Sequence, residues 1–392
     1  MNGEMFAQYD RTRDLSKKAV RSLCYAPFGN LYFDYAGRVR VCCHNSTYVL
    51  GNAQRDSIDE MWRGAKLKLL RDALVDYQFG PGCQFCENQT KGGWFTNASM
   101  RRFDEFHVPS PAPEWPQQME FSISNACNLE CVMCRGEHSS AIRAHREKKP
   151  PMPRLYSDEF LDSLQPYLPH LRRAKFLGGE PFLVVEYFRL WDSMIAAGLA
   201  TPCHITTNGT QYNSRIERIM EALPMSFAVS LDGATKETVE SIRVNANYDE
   251  QLLILKRFRD YTRERGTDLS LTFCFMRQNW HEFGDYCLFG DEWKCTVGVN
   301  TVLNPPEFGV YTLPPEELRK VYKGMEAQAA RLDSLLKRNR GVWFAEFDRV
   351  RVKCEEQERA AGGAQAPVLA GHATEGVLLR EIRPVAPQAS AK

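Results

Sequence analysis

The chain has 392 residues, of which 43% are hydrophobic and 25% are charged, with a formal net charge of +1. This length accommodates two domains, or one large domain with an appendage, and the near-zero charge gives no reason to expect nucleic acid as a partner. The sequence contains no window of 18 uninterrupted apolar residues and no secretory signal pattern, so we expect a cytoplasmic protein without a membrane partner.

The first 134 residues are rich in cysteine. They contain eight of the thirteen cysteines of the chain, namely Cys24, Cys42, Cys43, Cys83, Cys86, Cys127, Cys131 and Cys134. In a reducing compartment, such clustering favours metal binding over disulfide formation.

The chain begins with a polar leader, residues 1–20, and a cysteine-rich unit over residues 21–107. In that unit "LYFDYAGRVRVCC" predicts two short strands around a turn at Ala36 and Gly37. "SIDEMWRGAKLKLLRDAL" predicts one helix, with Asp56 and Ser57 as capping candidates. We interpret the proline-rich residues 108–118 as a linker between two domains.

Strands and helices then alternate over residues 119–305. The predicted strands are "MEFSI", "AKFLG", "CHITTN", "FAVSLD", "LSLTFCFM" and "TVGVNTV". Repeated β-α units indicate an α/β fold with a parallel sheet or barrel and a functional site at the carboxyl ends of the strands. Residues 306–358 are predicted to be helical, and residues 359–392, rich in Ala, Gly and Pro, to be disordered.

The segment "NACNLECVMC" places Cys127, Cys131 and Cys134 directly after the first of these strands. Three thiolates can hold three corners of a 4Fe-4S cluster and leave one iron open to an exogenous ligand. A partial zinc site or three buried thiols would be the simpler interpretations. The C-x3-C-x2-C spacing resembles the signature of the radical S-adenosylmethionine (radical SAM) superfamily.

Three further segments, in the same order along the chain, resemble motifs of that superfamily. They are "FLGGEPFL", "HITTNGT" and "VSLDGATKETVESIR", each at the end of a predicted strand. The resemblance implies a partial (β/α)6 TIM-like barrel in which S-adenosylmethionine chelates the open iron of the cluster. It also implies the residues that bind this cofactor: Gly178, Gly179, Glu180, Thr206, Asn208, Ser230, Asp232, Arg243 and Met133. Each of these residues would also be ordinary in a strand-end turn or a helix cap.

Two of the implied roles are specific. In the resembled family Glu180 and the two glycines receive the methionine amino group of the cofactor, and a guanidinium such as that of Arg243 suits a carboxylate. The position of Met133 is often aromatic in the family and packs on the adenine, a contact that a thioether can replace.

The cysteine-rich unit resembles a SPASM/twitch-type auxiliary iron–sulfur domain, which would make it a small α+β domain. Such domains normally follow the barrel, whereas this one precedes it. The resemblance implies that Cys24, Cys42, Cys83 and Cys86 hold one auxiliary 4Fe-4S cluster, with Cys43 as an alternative to Cys42. A four-thiolate zinc site is the main alternative, because Cys-x2-Cys pairs alone do not exclude it.

The resemblance implies reductive cleavage of S-adenosylmethionine to a 5′-deoxyadenosyl radical, which removes a hydrogen atom from the substrate. We expect dehydrogenation or epimerisation of a carbohydrate- or nucleotide-linked metabolite, with an electron donor such as flavodoxin or ferredoxin. Cys203, Cys287 and Cys295 are possible hydrogen-atom donors, although a scattered cysteine is more often a core residue. The alternatives are a peptide- or protein-modifying maturase and, in another class, a non-catalytic iron–sulfur or zinc-binding protein.

Overall fold

The computed structural model describes residues 2–96 and 98–361. Its strands form one nine-stranded sheet with the order β3-β2-β1-β4-β5-β6-β7-β8-β9. The strands are β1 (Asn30–Asp34), β2 (Arg38–Arg40), β3 (Gly51–Asn52), β4 (Gln118–Ser122), β5 (Arg173–Phe176), β6 (Cys203–Thr207), β7 (Met225–Ser230), β8 (Leu269–Phe275) and β9 (Thr296–Thr301).

Helices cover this sheet and extend beyond it at both ends of the described chain. They are α1 (Asn2–Arg11), α2 (Ala26–Gly29), α3 (Ile58–Arg63), α4 (Ala65–Val75), α5 (Gln84–Lys91), α6 (Ser140–His145), α7 (Asp158–Ser163), α8 (Val185–Ala196), α9 (Ser214–Ala222), α10 (Lys236–Ile242), α11 (Tyr248–Arg265), α12 (Phe283–Trp293), α13 (Pro315–Leu335) and α14 (Arg340–Ala361).

Strands β4 to β9 are all parallel and alternate with helices, which confirms the partial (β/α)6 barrel predicted from the sequence. Successive side chains of these strands point to opposite faces of the sheet. Phe176 packs against Trp191 of α8 on the helical face, with ring centroids 5.1 Å apart. On the other face Glu120 and Lys175 are register partners and form an ion pair at 3.4 Å. The inner face of the barrel is therefore polar at this level.

The cysteine-rich unit shares the barrel's sheet. Strand β1 pairs antiparallel with β2 and parallel with β4, so the whole unit forms the crossover between two adjacent parallel strands. Gly37, at φ +74°, closes the predicted hairpin turn. The Phe33 ring stacks on that of Phe121 at 5.3 Å, which in turn stacks on Phe176 at 5.4 Å. Hairpin and barrel consequently have a common apolar core.

The helix expected over "SIDEMWRGAKLKLLRDAL" is two helices, α3 and α4, separated at Gly64, whose ψ of 162° is extended. Ser57 caps α3 as predicted and forms a capping box with Glu60, a motif whose cap is typically worth about 1 kcal/mol. The Trp62 indole donates hydrogen bonds to the carbonyls of Pro113 and Glu114, both at 3.1 Å. Trp62 thereby ties the proline-rich segment to α3.

The C-terminal helical segment is a pair of helices, α13 and α14, whose Tyr322 and Phe347 rings stack at 5.6 Å. Helix α14 runs to Ala361, so the first three residues of the segment 359–392, predicted to be disordered, are helical, and the rest of that segment, 362–392, lies outside the described residues. In the described part of the chain no helix is both long and apolar enough to cross a membrane.

Candidate functional site

The cysteine triplet lies in the loop that joins β4 to α6, at the carboxyl end of the parallel sheet. Cys131 is buried, whereas Cys127 and Cys134 are half-buried. The backbone N–H of Cys134 donates to the carbonyl of Cys131 at 3.0 Å, and the two thiols share a hydrogen bond. The Ser140 hydroxyl donates to the Cys127 carbonyl at 3.0 Å. These hydrogen bonds hold the loop from both ends.

A buried ion pair lies beside this loop. Arg243 Nη2 is 2.6 Å from Asp232 Oδ2, and Arg243 Nη1 donates to Cys131 Sγ at 3.9 Å. The hydrogen bond from Cys134 and the nearby guanidinium lower the pKa of Cys131 to about 7, against the opposing effect of burial. Burial raises the pKa of Cys127 to about 11. The hydrogen bond from Cys134, together with the positive charge of Arg243, therefore favours the thiolate, the form that binds iron, at Cys131. The same shared hydrogen bond raises the pKa of Cys134.

The two glycines after β5 bring the backbone against the cysteine loop. Gly178 and Gly179 have φ values of +80° and +54°, in the region that only glycine enters easily. A Cβ at Gly179 would lie 2.3 Å from the carbonyl oxygen of Ala126, and one at Gly178 would lie 2.4 Å from Ser122 Oγ. Glycine is required at both positions by conformation and by space.

The Glu180 carboxylate is fully buried. It accepts hydrogen bonds from the N–H of Asn208 at 2.7 Å, the hydroxyl of Thr207 at 2.9 Å and the N–H of Phe182 at 3.1 Å. Burial nevertheless raises its pKa to about 7. Oε2 accepts only one of these bonds and can accept another. A protonated amine placed here could therefore donate to Oε2, and its positive charge would favour the ionised carboxylate.

The end of β6 contacts the cysteine loop directly. Asn208 Nδ2 donates to Cys127 Sγ at 3.8 Å and to Asn128 Oδ1 at 3.1 Å. Thr206 lies one register position from the strand end and is partly exposed on the same face as Lys175. Of these two predicted cofactor-binding residues, the structure brings Asn208 to the cysteines and leaves Thr206 on the inner face of the barrel.

Ser230 is the last residue of β7, Asp232 follows two residues later, and both are buried. Asp232 has φ +67° and accepts a hydrogen bond from the N–H of Cys274 at 2.6 Å. The Asn279 amide donates to the carbonyl of Asp232 at 2.8 Å and thus supports this strained turn. Met133 packs with Ile242 in a small apolar cluster at the ends of β8 and β9, a position compatible with the contact expected of it.

The other four predicted ligands line one cavity beside the β1–β2 hairpin. Its wall contains Cys24, Cys42, Cys83 and Cys86, together with apolar side chains such as Leu74, Phe79 and Phe103. Cys43 is not part of this wall, and its thiol instead accepts a hydrogen bond from Arg102 Nη2 at 3.2 Å. The structure thus gathers the predicted set and separates the proposed substitute, Cys43, from it.

The surroundings of these thiols are mostly neutral. The N–H of Ala26 donates to Cys24 Sγ at 3.4 Å, and Asn45 Nδ2 donates to Cys83 Sγ at 3.8 Å. Burial raises the pKa of Cys42 and of Cys86 to about 12 and that of Cys83 to about 11. The thiolates needed for metal binding would therefore form here together with the metal.

Several residues that contact these sites were not predicted from the sequence: Asn45, Arg102, Asn128 and Cys274. Cys274 is half-buried at the end of β8, close enough to Cys131, Asp232 and Arg243 for their charges to act on its thiol. Its position near the carboxyl end of a predicted strand was the feature of the sequence that could have placed it at the site. The three hydrogen-donor candidates, Cys203, Cys287 and Cys295, are instead at most 1% exposed and belong to the apolar core. This burial agrees with the alternative given for them, that of core residues.

Among the described residues, no group of three or more His, Cys, Asp and Glu side chains is drawn together in a way that would hold a single metal ion. The fit to clusters has support of another kind. In both places the candidate ligands are cysteine sulfurs. Beside them Arg243 Nε and Arg102 Nε are buried without a hydrogen-bond partner in the described structure. At the triplet, Gly178 and Gly179 also leave a space that a Cβ would fill. The residues present fit iron–sulfur groups.

Comparison with known families agrees with both sites. Residues 121–290 match the family model described as Radical SAM superfamily. Residues 24–87 match the SPASM model, described as an iron–sulfur cluster-binding domain. The two matched segments contain every cysteine of the two candidate sites.

A curated relative, the AdoMet-dependent heme synthase of Methanosarcina barkeri, is 30% identical over 129 residues. The alignment covers 33% of this chain and 34% of that protein, so the chain spans about a third of the length of this relative.

Two solved structures resemble the chain at low identity. SuiB of Streptococcus suis bound to precursor peptide SuiA has a TM-score of 0.39 and 16% identity, with 56% of this chain and 48% of that chain covered. Native anSMEcpe with bound AdoMet has a TM-score of 0.38 and 16% identity, with 55% and 60% covered.

Proposed function

We propose that this chain is a radical SAM enzyme with two clusters serving one substrate site. Its residues 121–290 match the radical SAM superfamily model, and its residues 24–87, ahead of the barrel, match the SPASM iron–sulfur model. Cys127, Cys131 and Cys134 would hold the cluster that binds S-adenosylmethionine. Cys24, Cys42, Cys83 and Cys86 would hold an auxiliary 4Fe-4S cluster. When bound, the first cluster and S-adenosylmethionine supply a 5′-deoxyadenosyl radical that abstracts a hydrogen atom from the substrate.

The residues of this chain would position the cofactor. The buried Glu180 carboxylate offers an acceptor for an amino group, and the backbone at Gly178 and Gly179 approaches the cysteine loop as no residue with a Cβ could. Asn208 and Arg243 each donate to a sulfur of the triplet. Hydrogen bonds to cluster sulfurs and the net charge nearby are among the factors that set a cluster's potential.

One observation carries the proposal: both cysteine sets are built on the same sheet, at opposite ends of the β1–β4 pairing. The triplet follows the carboxyl end of β4. Cys42 follows the antiparallel β2 and lies near the amino end of β1, where Asn30 Nδ2 donates to the carbonyl of Val41 at 2.8 Å. Between them the register aligns four polar residues of the inner face, Tyr32, Glu120, Lys175 and His204. Two redox centres would thus flank one polar space, which suits removal of a hydrogen atom followed by removal of an electron.

The polar inner face supports a small polar substrate. The Lys175 side chain is 25% exposed, and burial with the nearby Lys175 charge lowers the pKa of His204 to about 3, so this imidazole is neutral. Both can hydrogen-bond to hydroxyl, carboxylate or phosphate groups. We therefore propose dehydrogenation or epimerisation of a carbohydrate- or nucleotide-linked metabolite. The relative's name, which describes synthesis of the small molecule heme, supports a metabolite over a peptide.

The test is an anaerobic assay of the reconstituted full chain with S-adenosylmethionine and a reductant, either dithionite or reduced flavodoxin. Formation of 5′-deoxyadenosine is expected, with stimulation by candidate sugar nucleotides and not by candidate peptides. Stimulation by a peptide alone would move the proposal to the maturase alternative. A fully loaded and reduced chain that forms no 5′-deoxyadenosine with either class would contradict the proposed enzyme and leave the non-catalytic alternative.

A further inference from the structure

A single arginine, Arg102, stands out beside the four-cysteine cavity. It lies in a 3-10 helix, Ser99–Phe106, whose Ser99, Met100 and Phe103 contribute to the cavity wall. Its Nη2 donates to Cys43 Sγ at 3.2 Å, and its guanidinium lies 4.7 Å from the centre of the Phe103 ring. The buried Nε has no hydrogen-bond partner in the described part of the chain. A cation with an unused buried donor thus adjoins the cavity.

The one carboxylate that acts electrostatically on Arg102 in the described part of the chain, that of Glu120, is shared with a second cation. Glu120 already forms an ion pair with Lys175 and accepts a hydrogen bond from Asn30 Nδ2 at 2.8 Å. The direct partner of Arg102 is the thiol of Cys43, which is outside the cavity wall. Buried charges in proteins are normally paired, so a positive charge in this place calls for a negative group close by.

The charge of Arg102 reaches two of the cavity thiols. It acts electrostatically on both Cys42 and Cys86, whereas the donors recorded at Cys24 and Cys83 are the neutral N–H groups of Ala26 and Asn45. A 4Fe-4S cluster with four thiolates carries a net charge of about −2 when oxidised and about −3 when reduced. A nearby cation therefore stabilises the reduced form more than the oxidised form.

We propose that Arg102 is a positioning residue that raises the reduction potential of the auxiliary cluster, through its charge and through the unpaired Nε–H. The reaction concerned is the addition of one electron to the oxidised cluster, with no bond made or broken to Arg102. The proposal rests on the proposed function, because it requires that Cys24, Cys42, Cys83 and Cys86 hold a cluster. It adds to that function a residue outside the ligand set that sets how readily the auxiliary cluster accepts an electron.

The test is a potentiometric titration of the full chain followed by electron paramagnetic resonance of the reduced cluster. Cys127, Cys131 and Cys134 are replaced by Ala in every sample, so that the signal comes from the auxiliary site alone. The variants compared are Arg102→Gln, Arg102→Lys and, as a matched control, Arg101→Gln. Arg101 precedes Arg102 in the same helix but donates to the carbonyls of Thr12 and Thr96, away from the cavity.

We expect Arg102→Gln to keep about four irons and to shift the midpoint potential downward. Arg102→Lys should lie between Gln and the parent, because it keeps the charge and loses the Nε donor. Arg101→Gln should match the parent. A fully loaded Arg102→Gln chain with the parent's potential would overturn the inference.

Two other outcomes are also decisive. If Arg102→Gln fails to bind iron, the neutral variant Arg102→Met takes its place, and a loaded Arg102→Met chain with the parent's potential would overturn the inference. If the parent itself binds no iron in this background, the auxiliary cluster of the proposed function is absent. That result is distinguishable from a cluster that is present but insensitive to Arg102.

Discussion

The two cysteine sites differ in their surroundings. The triplet lies at the carboxyl ends of parallel strands, among polar groups that include the buried Asp232–Arg243 pair. The four-cysteine site lies in a cavity walled by apolar side chains, with Arg102 as the neighbouring cation. Three thiols at an open sheet end leave room for an exogenous ligand, whereas four thiols in an apolar wall complete a cluster by themselves.

This contrast suits different roles for the two sites. The triplet would bind the cofactor and start the reaction, and the enclosed site would exchange electrons. Their common sheet fixes the distance between them, because β1 and β4 are adjacent and fully in register over five residue pairs. The following experiments separate the two sites, beginning with the largest expected effect.

Replacing Cys127, Cys131 and Cys134 together with Ala should abolish formation of 5′-deoxyadenosine, because no other described residue set is placed to hold the cofactor-binding cluster. Iron analysis should still find about four irons, those of the auxiliary site. Loss of all iron with a folded chain would show that the two sites are not independent.

Replacing Cys83 and Cys86 with Ala should remove about four irons and leave dithionite-driven cleavage of S-adenosylmethionine in place, since the triplet is untouched. Turnover of substrate to product should stop. Cys43→Ala is the matched control and should keep about eight irons, because Cys43 lies outside the cavity wall. Loss of the auxiliary iron in Cys43→Ala would instead make Cys43 a ligand.

Glu180→Gln tests the buried carboxylate beside the triplet. Its pKa is raised from 4.5 to about 7, so the native fold favours the protonated form. The parent should therefore lose up to about 3 kcal/mol of unfolding free energy as the pH rises from about 4.5 through about 7. Denaturant titrations should show a flatter pH profile for Glu180→Gln over this window. If the stability of the parent and of Glu180→Gln depended on pH in the same way, the pKa of Glu180 would not be raised in the folded chain.

Gly179→Ala should destabilise the fold and weaken S-adenosylmethionine binding, because the new Cβ would lie 2.3 Å from the carbonyl oxygen of Ala126. The matched control is Gly198→Ala, since Gly198 has φ +65° with nothing within 4 Å of the added Cβ. The control should cost only the backbone strain, about 1–2 kcal/mol. Chemical unfolding measures the loss of unfolding free energy in each variant. Equal losses would show that the close contact of Gly179 with Ala126 does not contribute to the destabilisation.

Cys274→Ala should have the smallest effect. Cys274 lies close to the triplet, and alanine would lose the hydrogen bond of its thiol to Asp232 but retain the backbone N–H that donates to Asp232 at 2.6 Å. The iron content and the yield of 5′-deoxyadenosine should remain those of the parent. A loss of about four irons would make Cys274 a fourth ligand and close the site that the proposal leaves to the cofactor.

Much of the fold, and the two groups of cysteines that the structure brings together, followed from the sequence, because both depend on local patterns. Six alternating strands, the hairpin at Gly37 and the cap at Ser57 all occur where the residues indicate. What the sequence did not indicate depends on contacts between distant segments. The parallel pairing of β1 with β4 joins the predicted domains into one sheet, and no local pattern predicts it.

The same limit applies within the sites. The spacing of the cysteines predicted the two ligand sets, whereas Arg102 and Cys274 reach them only through the tertiary structure. The break at Gly64 was also missed, because the hydrophobic spacing of α3 and α4 reads as one continuous helix. The boundaries of the proposed domains and the roles of the individual site residues stay predictions.

The most direct test of two clusters on one sheet is iron and sulfide analysis, with Mössbauer spectroscopy, of the anaerobically reconstituted full chain. About eight irons in two 4Fe-4S clusters are expected, and one cluster should change its spectrum when S-adenosylmethionine is added. About four irons with one zinc, or two clusters that are both insensitive to S-adenosylmethionine, would contradict this expectation.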